Sequence, residues 1–95
     1  MKGMRKTFIA TDLTGKVRSG TGVVVWFCSH SKERVELRRI SDEEIMDAFE
    51  SPDRIEDNRD YTNVHDYVKV VQNGTLRIGV RDEMEPFVLV TAFYQ

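Results

Sequence analysis

Residues 28–52 read CSHSKERVELRRISDEEIMDAFESP, and this stretch decides what kind of fold the chain can adopt. Its second half is a helix with both ends written into it. Ser41 is placed to cap, Glu44 reaches back to complete a capping box, and the acids of the first turn favour the positive end of the helix dipole. Ile45, Ala48 and Phe49 fall at i, i+3 and i+4 with Met46 beside them, giving one apolar stripe. Pro52 cannot continue a helix and pushes Ser51 into an extended conformation, so the helix stops there. The first half predicts another helix over roughly 30–39, capped by Ser29 or Ser31. Its apolar face is thinner: Val35, Leu37 and Ile40.

Strand patterns flank this pair of helices. Before it, TFIATDL (7–13) predicts a strand, TGKVRSGTG reads as a flexible connection or hairpin loop, and VVVWFC (23–28) is a β-branched and aromatic run expected to be covered on both faces. After it come RIED, the polar loop NRDYTN, and VHDYVKVVQ (64–72), which leads into Asn73-Gly74. That dipeptide is a strong hairpin signal, because both residues tolerate positive φ. TLRIGVR (75–81) alternates, with Leu76, Ile78 and Val80 inward and Thr75, Arg77, Gly79 and Arg81 outward. DEMEP turns the chain and FVLVTAFY (87–94) returns as a largely buried strand. The expected fold is α+β: two helices packed on one face of a small antiparallel sheet. Ile45 and Phe49 should be buried with Trp26, Ile78, Val80, Leu89 and Val90.

At 95 residues the chain is expected to be a single domain, with 1–27 an N-terminal strand and loop extension and 28–95 the helix–helix–sheet core. Apolar residues at 40% and charged residues at 32% fit an ordinary soluble globule. No apolar run approaches the roughly 20 residues that cross a bilayer, so no membrane is expected. The opening MKGMRKTF is basic but has no signal-peptide apolar stretch behind it, which makes cytoplasm the expected compartment. The lone Cys28, inside an apolar run, reads as a buried inert thiol.

The net charge of -2 hides an uneven distribution. Residues 1–40 hold nine Lys/Arg against three acids, residues 41–67 two against ten, and residues 68–95 three against three. Either a basic surface stands apart from an acidic one, as a nucleic-acid partner requires, or the two halves attract each other across the fold.

His30 and Arg34 are four apart, on one helical face, with Arg38 one turn further and Lys32 between. A histidine near neutrality beside always-charged guanidinium forks, at a helix start, suits phosphate handling. A helix-start histidine with solvated arginines is the plain alternative. His65, beside Tyr67 and Lys69 on a strand, is a second candidate proton carrier or an ordinary exposed histidine. Asp66 can orient only some other side chain, not its strand neighbour. Arg77 and Arg81 share the outward face of their strand and could extend a basic surface. Cys28, His30 and His65 do not reproduce a zinc spacing, GKVRSGTG lacks the order of a nucleotide P-loop, and no metal or cofactor is expected.

SHSKERVELRRISDEEIMDAFESPDRI, followed by LRIGVR and a terminal VLVTAFY, resembles a widespread family of small prokaryotic proteins grouped with the barnase/RelE-like ribonuclease toxins. The likeness covers about residues 28–95. It implies two helices before a small antiparallel sheet, and it matches the family's recurrent polar positions to His30, Arg34, Arg39 and Thr91. The tyrosine usually found two after that threonine is Phe93 here, with Tyr94 next; one residue along a strand turns a side chain to the opposite face. The resemblance implies metal-free RNA cleavage or RNA binding, with His30, Arg34, Arg39 and Thr91 at the site; Lys32, Arg38, Arg77 and Arg81 are expected, from their own placement on helix and strand, to contact RNA. The competing expectation is a non-catalytic phage or mobile-element protein that binds a host or antitoxin protein through its acidic half.

Overall fold

The computed structural model describes residues 4–95, so the first three residues of the basic opening lie outside the described residues. Those described form β1 (Gly15–Arg18), β2 (Val24–Phe27), α1 (Ser29–Leu37), α2 (Asp42–Glu50), β3 (Arg54–Asp57), β4 (His65–Val71), β5 (Gly74–Arg81) and β6 (Phe87–Tyr94). The strands make one sheet in the order β1-β2-β6-β5-β4-β3. Every neighbouring pair is antiparallel except β2 and β6, which run parallel. The fold is therefore α+β, with two helices on a mostly antiparallel sheet.

The N-terminal third departs from the sequence pattern. Residues 7–13 hold no strand, and β1 forms instead from GKVR, inside the expected connection. One inward residue is enough there, because Val17 is buried opposite Val25. The turn between β1 and β2 is closed by Ser19, whose amide donates to Val23 O at 2.8 Å and whose hydroxyl accepts from the amides of Thr21 and Val23. Residues 5–14 form a strap held by polar anchors. The Asn63 amide side chain bonds both the N–H and the C=O of Phe8 at 2.9 Å, and Arg5 Nη1 donates to Asn58 O at 2.8 Å. At the other end, Thr14 N donates to Phe27 O at 2.9 Å and the Ser29 hydroxyl meets Asp12.

Neither Ser29 nor Ser31 is the cap of α1. Cys28 holds that position, and Ser31 stands third in the helix, where its buried hydroxyl accepts from Cys28 N at 3.1 Å. The helix closes after Leu37. Ile40 N donates to Val35 O at 3.0 Å and Arg39 N to Glu36 O at 3.2 Å, with Val35 and Ile40 both buried, which is a Schellman ending. That ending puts one residue in the left-handed region, usually glycine; here it is Arg39, at φ 56°. α2 starts as expected: Ser41 Oγ accepts from Glu44 N at 3.1 Å, and Glu44 reaches back to Ser41 N.

Val25, Phe27, Ile45, Leu76, Ile78, Val80, Leu89 and Ala92 form the core between helices and sheet. Phe49 is only partly buried, but its ring packs on Tyr67 and Phe87 at centroid distances of 4.8 and 5.4 Å. Trp26 and Val90 lie outside this cluster. Trp26 alternates with Val25 and Phe27, so it faces away from the helices, half-buried under Lys16 Nζ at 4.8 Å. Val90, although buried, falls at the irregularity where β6 slips register against Gly79 and Val80.

Phe49→Ala should lower unfolding free energy by about 3 kcal/mol in urea titrations, the low end for phenylalanine truncation. A change within about 0.5 kcal/mol would show that the stripe carries no packing. Arg39→Gly should leave stability unchanged or raise it by up to about 1 kcal/mol, since glycine escapes the left-handed penalty but orders more backbone. Arg39→Val should destabilise, because a β-branched residue is poorly tolerated at that φ.

Candidate functional site

α1 lies where β6 loses its neighbour. β2 pairs only with residues 87–89 of β6, so the second half of β6 is unpartnered by strand on that side. Side chains from α1 take the exposed carbonyls. Cys28 Sγ points at Leu89 O at 3.8 Å, and Arg38 Nη1 donates to Ala92 O at 2.8 Å. The helix is thereby fixed with His30 exposed in its first turn and Arg34 partly exposed one turn on. Lys32 pairs with Glu36 at 3.4 Å and lies 5.4 Å from the Phe27 ring centroid. Among the described residues, Arg34, Arg38 and Arg39 have no carboxylate within ion-pair distance.

The acids of 41–67 do not neutralise this face. No ion pair among the described residues joins a cation of the first forty to an acid of 41–67. Asp42, Glu43, Asp47 and Glu50 instead line a groove of about 530 Å³ between α2 and the β1–β2 turn, with Arg18 on its wall. The two charge clusters make no direct ion pair among the described residues, although Arg18 borders the acidic groove and Arg5 and Lys6 lie in one cleft with Asp57 and Asp60.

Thr91 sits elsewhere. It pairs with Gly79, and a Cβ on Gly79 would stand 2.9 Å from Thr91 Cγ2 and 3.1 Å from Asp66 Oδ1. Thr91 therefore shares the face away from the helices with Asp66, while His30, Arg34 and Arg39 belong to α1 and its ending. Tyr94 has turned to the helix side, where its hydroxyl donates to Glu44 Oε1 at 2.6 Å. Burial and then that carboxylate push the Tyr94 hydroxyl pKa up.

The expectation of a basic surface at Arg77 is corrected by its partners. Its guanidinium donates to Asp66 Oδ2 at 2.8 Å, Glu56 Oε1 at 2.6 Å and Gln95 Oε1 at 2.7 Å. Asp66 is buried and also accepts from Asn58 Nδ2 at 2.9 Å, so it does orient other side chains. Arg77 and then Arg54 hold the Glu56 carboxyl below its usual range. Arg77 thus compensates a buried charge and is not free for a polyanion. Arg81 has no carboxylate partner; it donates to Pro86 O, and its Nε is buried without a partner among the described residues.

His65 is not an ordinary exposed strand histidine. Its Nδ1 lies 2.8 Å from Asp82 Oδ1, and Tyr67 donates its hydroxyl to the other oxygen of Asp82. His65, Tyr67 and Lys69 do share a face, but it is the helix side, where Tyr67 joins the core. The His65 side chain is 39% exposed and Asp82 only 15%. His65 Nε2 stands 3.7 Å from Asp57 Oδ1, and Asp57 borders a cleft of about 1020 Å³ that also takes in Arg5, Lys6, Arg59 and Tyr61. The hydrogen bond to Asp82 raises the pKa of His65 above its ordinary 6.5, against burial and Arg5, with Asp57 adding to the rise. Burial and then Asp82 push Tyr67 far above the usual phenol, so it stays a donor. The register of the Asn73-Gly74 hairpin carried a signal: counting back from Val71↔Gly74 puts Asp82 diagonally across from His65.

Two predictions follow from these clusters. Arg77→Ala should destabilise by about 2–3 kcal/mol in chemical denaturation, because buried Asp66 loses its cation; a loss below about 0.5 kcal/mol would show the network is solvated. The folded state holds the His65 proton more tightly than the unfolded chain does. Its stabilisation is therefore fully present below 6.5 and is lost as pH rises through the raised value. Urea midpoints should decline across that window in wild type and less steeply in His65→Gln; equal declines would remove His65 as a cause.

No curated protein matches the chain, and no solved structure matches it. A family model described as a domain of unknown function, DUF4258, matches residues 27–94, which hold both helices and strands β3 to β6. Spanning more than two thirds of the sequence, that match makes the chain a member of the DUF4258 family.

Proposed function

We propose that this protein is an RNA-binding and RNA-cleaving domain of the barnase/RelE-like toxin type, acting from α1 without a metal. The observation that carries the reading is that Arg34, one turn from an exposed His30, and Arg39 at the end of the helix have no ion-pair partner among the described residues, while Arg38 has no carboxylate partner and donates one N–H to Ala92 O. Guanidinium groups without carboxylates are available to phosphate, and their planar forks bond two oxygens at once. His30 takes the proton of a ribose 2′-hydroxyl, whose oxygen then bonds the adjacent phosphorus. The bond to the 5′-oxygen breaks, and the leaving oxygen takes a proton from the imidazolium or from water. The products are a 2′,3′-cyclic phosphate and a 5′-hydroxyl. The arginines stabilise the charge that grows on the phosphorane oxygens. Arg39 fits this role in a second way: a left-handed position filled by arginine instead of glycine gives up stability where a guanidinium is wanted. Thr91 and Arg77, on the opposite face, take no part.

A second reading is favoured by the acidic groove of α2. Asp42, Glu43, Asp47 and Glu50 converge there without ion pairs to the basic half, and a basic segment of an antitoxin or host protein would complement them.

Cleavage of a mixed RNA pool tests the first reading. His30→Ala should abolish cleavage with the thermal midpoint nearly unchanged, because the side chain makes no contact that the fold needs. Arg39→Gly should cut cleavage while keeping or raising stability. Binding of RNA by His30→Ala should weaken steeply as salt rises, since phosphate contacts release counterions. Equal cleavage by wild type and His30→Ala would remove His30 from the mechanism. Binding insensitive to salt, or absent, would shift the weight to the protein-binding reading.

A further inference from the structure

We infer that the cleft between the N-terminal strap and the β3–β4 loop is a second phosphate subsite for an RNA strand, with the His65 imidazole as its proton-dependent donor. The inference rests on the RNA reading, but the residues lie outside α1. Arg5 fastens the strap to the loop through Asn58 O, and Lys6 continues the attachment through its backbone, with Lys6 N to Asp60 O and Thr62 N to Lys6 O both at 2.8 Å. The lining thus gathers Arg5, Lys6 and Arg59 against Asp57 and Asp60, and no ion pair cancels these cations among the described residues. The lining carries a net charge of +1, from three cations less two acids, and protonated His65 at its border makes +2.

The imidazole is preorganised for this role. Asp82 takes Nδ1, and the Tyr67 hydroxyl fixes Asp82 in turn, so the ring cannot turn over and Nε2 is the free nitrogen. The groups facing it are Asp82 from the turn after β5, Tyr67 from its own strand, Asp57 from β3 and Arg5 from the strap. Asp57 Oδ1, 3.7 Å from Nε2, stands where an anion oxygen would stand. Its side chain is 77% exposed and can swing into solvent, leaving a phosphate oxygen in its place. Asp82 keeps the ring protonated to higher pH, so the subsite favours phosphate as pH falls toward neutrality and below.

Amide and imidazole NMR signals of the full chain test this with two probes, inorganic phosphate and a short single-stranded RNA, at pH about 6 and about 8. Saturable shifts are expected at residues 57–61 and at the His65 ring with both probes, stronger at the lower pH. His65→Gln should weaken phosphate binding by about tenfold, the worth of a charge-assisted hydrogen bond. Asp57→Asn, which changes an exposed group, should tighten it. Shifts confined to residues 30–39, shifts at 57–61 indifferent to pH and to His65, or a response to phosphate without one to RNA would each overturn the subsite. The first of these leaves the RNA reading of α1 standing. RNA that shifts 57–61 but not 30–39 would support the subsite and sink the α1 site instead.

Discussion

The half-open edge of β6 is the constraint on which the arrangement depends. β2 accompanies β6 for three residues and then becomes α1, so carbonyls in the middle of the sheet lose the strand that would have bonded them. Buried backbone oxygens need donors. Cys28 and Arg38, at the two ends of one helix, supply them at Leu89 and Ala92. Their positions fix the helix along the edge and leave only Ser31 and Val35 to bury beneath it. His30, Glu33, Glu36 and Leu37 face outward and Arg34 is partly exposed, which is how a helix with so little apolar surface comes to present histidine and arginine together.

The opposite side of the sheet is organised by one buried carboxylate. Asp66 draws in Arg77 and Asn58, and Gly79 leaves room for Asp66, Asn58 and Thr91. Asn58 then turns the β3–β4 loop by accepting from the amides of Asp60 and Tyr61, both at 2.9 Å. That loop in turn receives the strap. A polar chain of dependence thus runs from the middle of β4 to the N-terminal segment, beside the edge-on packing of Phe8 against Tyr61 and the buried Val64 and Val68.

Much of the fold was legible because local chemistry and global packing agreed. The capping box of α2, its stripe, the Asn73-Gly74 turn and the alternation of β5 each specify one answer. The misreadings fall where a residue type does an unaccustomed job. Cysteine rarely marks a helix start, and here the serine inside the helix completes the cap. GKVR carries one apolar residue among glycine and charges, so nothing in its pattern marks β1; pairing with β2 makes it a strand. The site was half legible. Helical spacing is enough to place His30 and Arg34 one turn apart on α1, but the ion pairs that withdraw Arg77 depend on three strands coming into register. Asp82 reaches His65 only across a hairpin, as a diagonal neighbour that appears once the register is counted back from the Asn73-Gly74 turn.

The parallel pairing of β2 with β6 has a consequence for how the chain folds. β4, β5 and β6 join through short turns, so each hairpin closes a small loop at modest entropic cost. Phe27 meets Leu89 only after about 60 intervening residues are gathered. The meander can therefore assemble on its own schedule, whereas β1, β2 and the start of α1 must wait for a completed β6 to dock against. By loop closure alone, the C-terminal meander is the cheaper part to form, and docking the element that carries His30 and Arg34 against β6 is the more costly step.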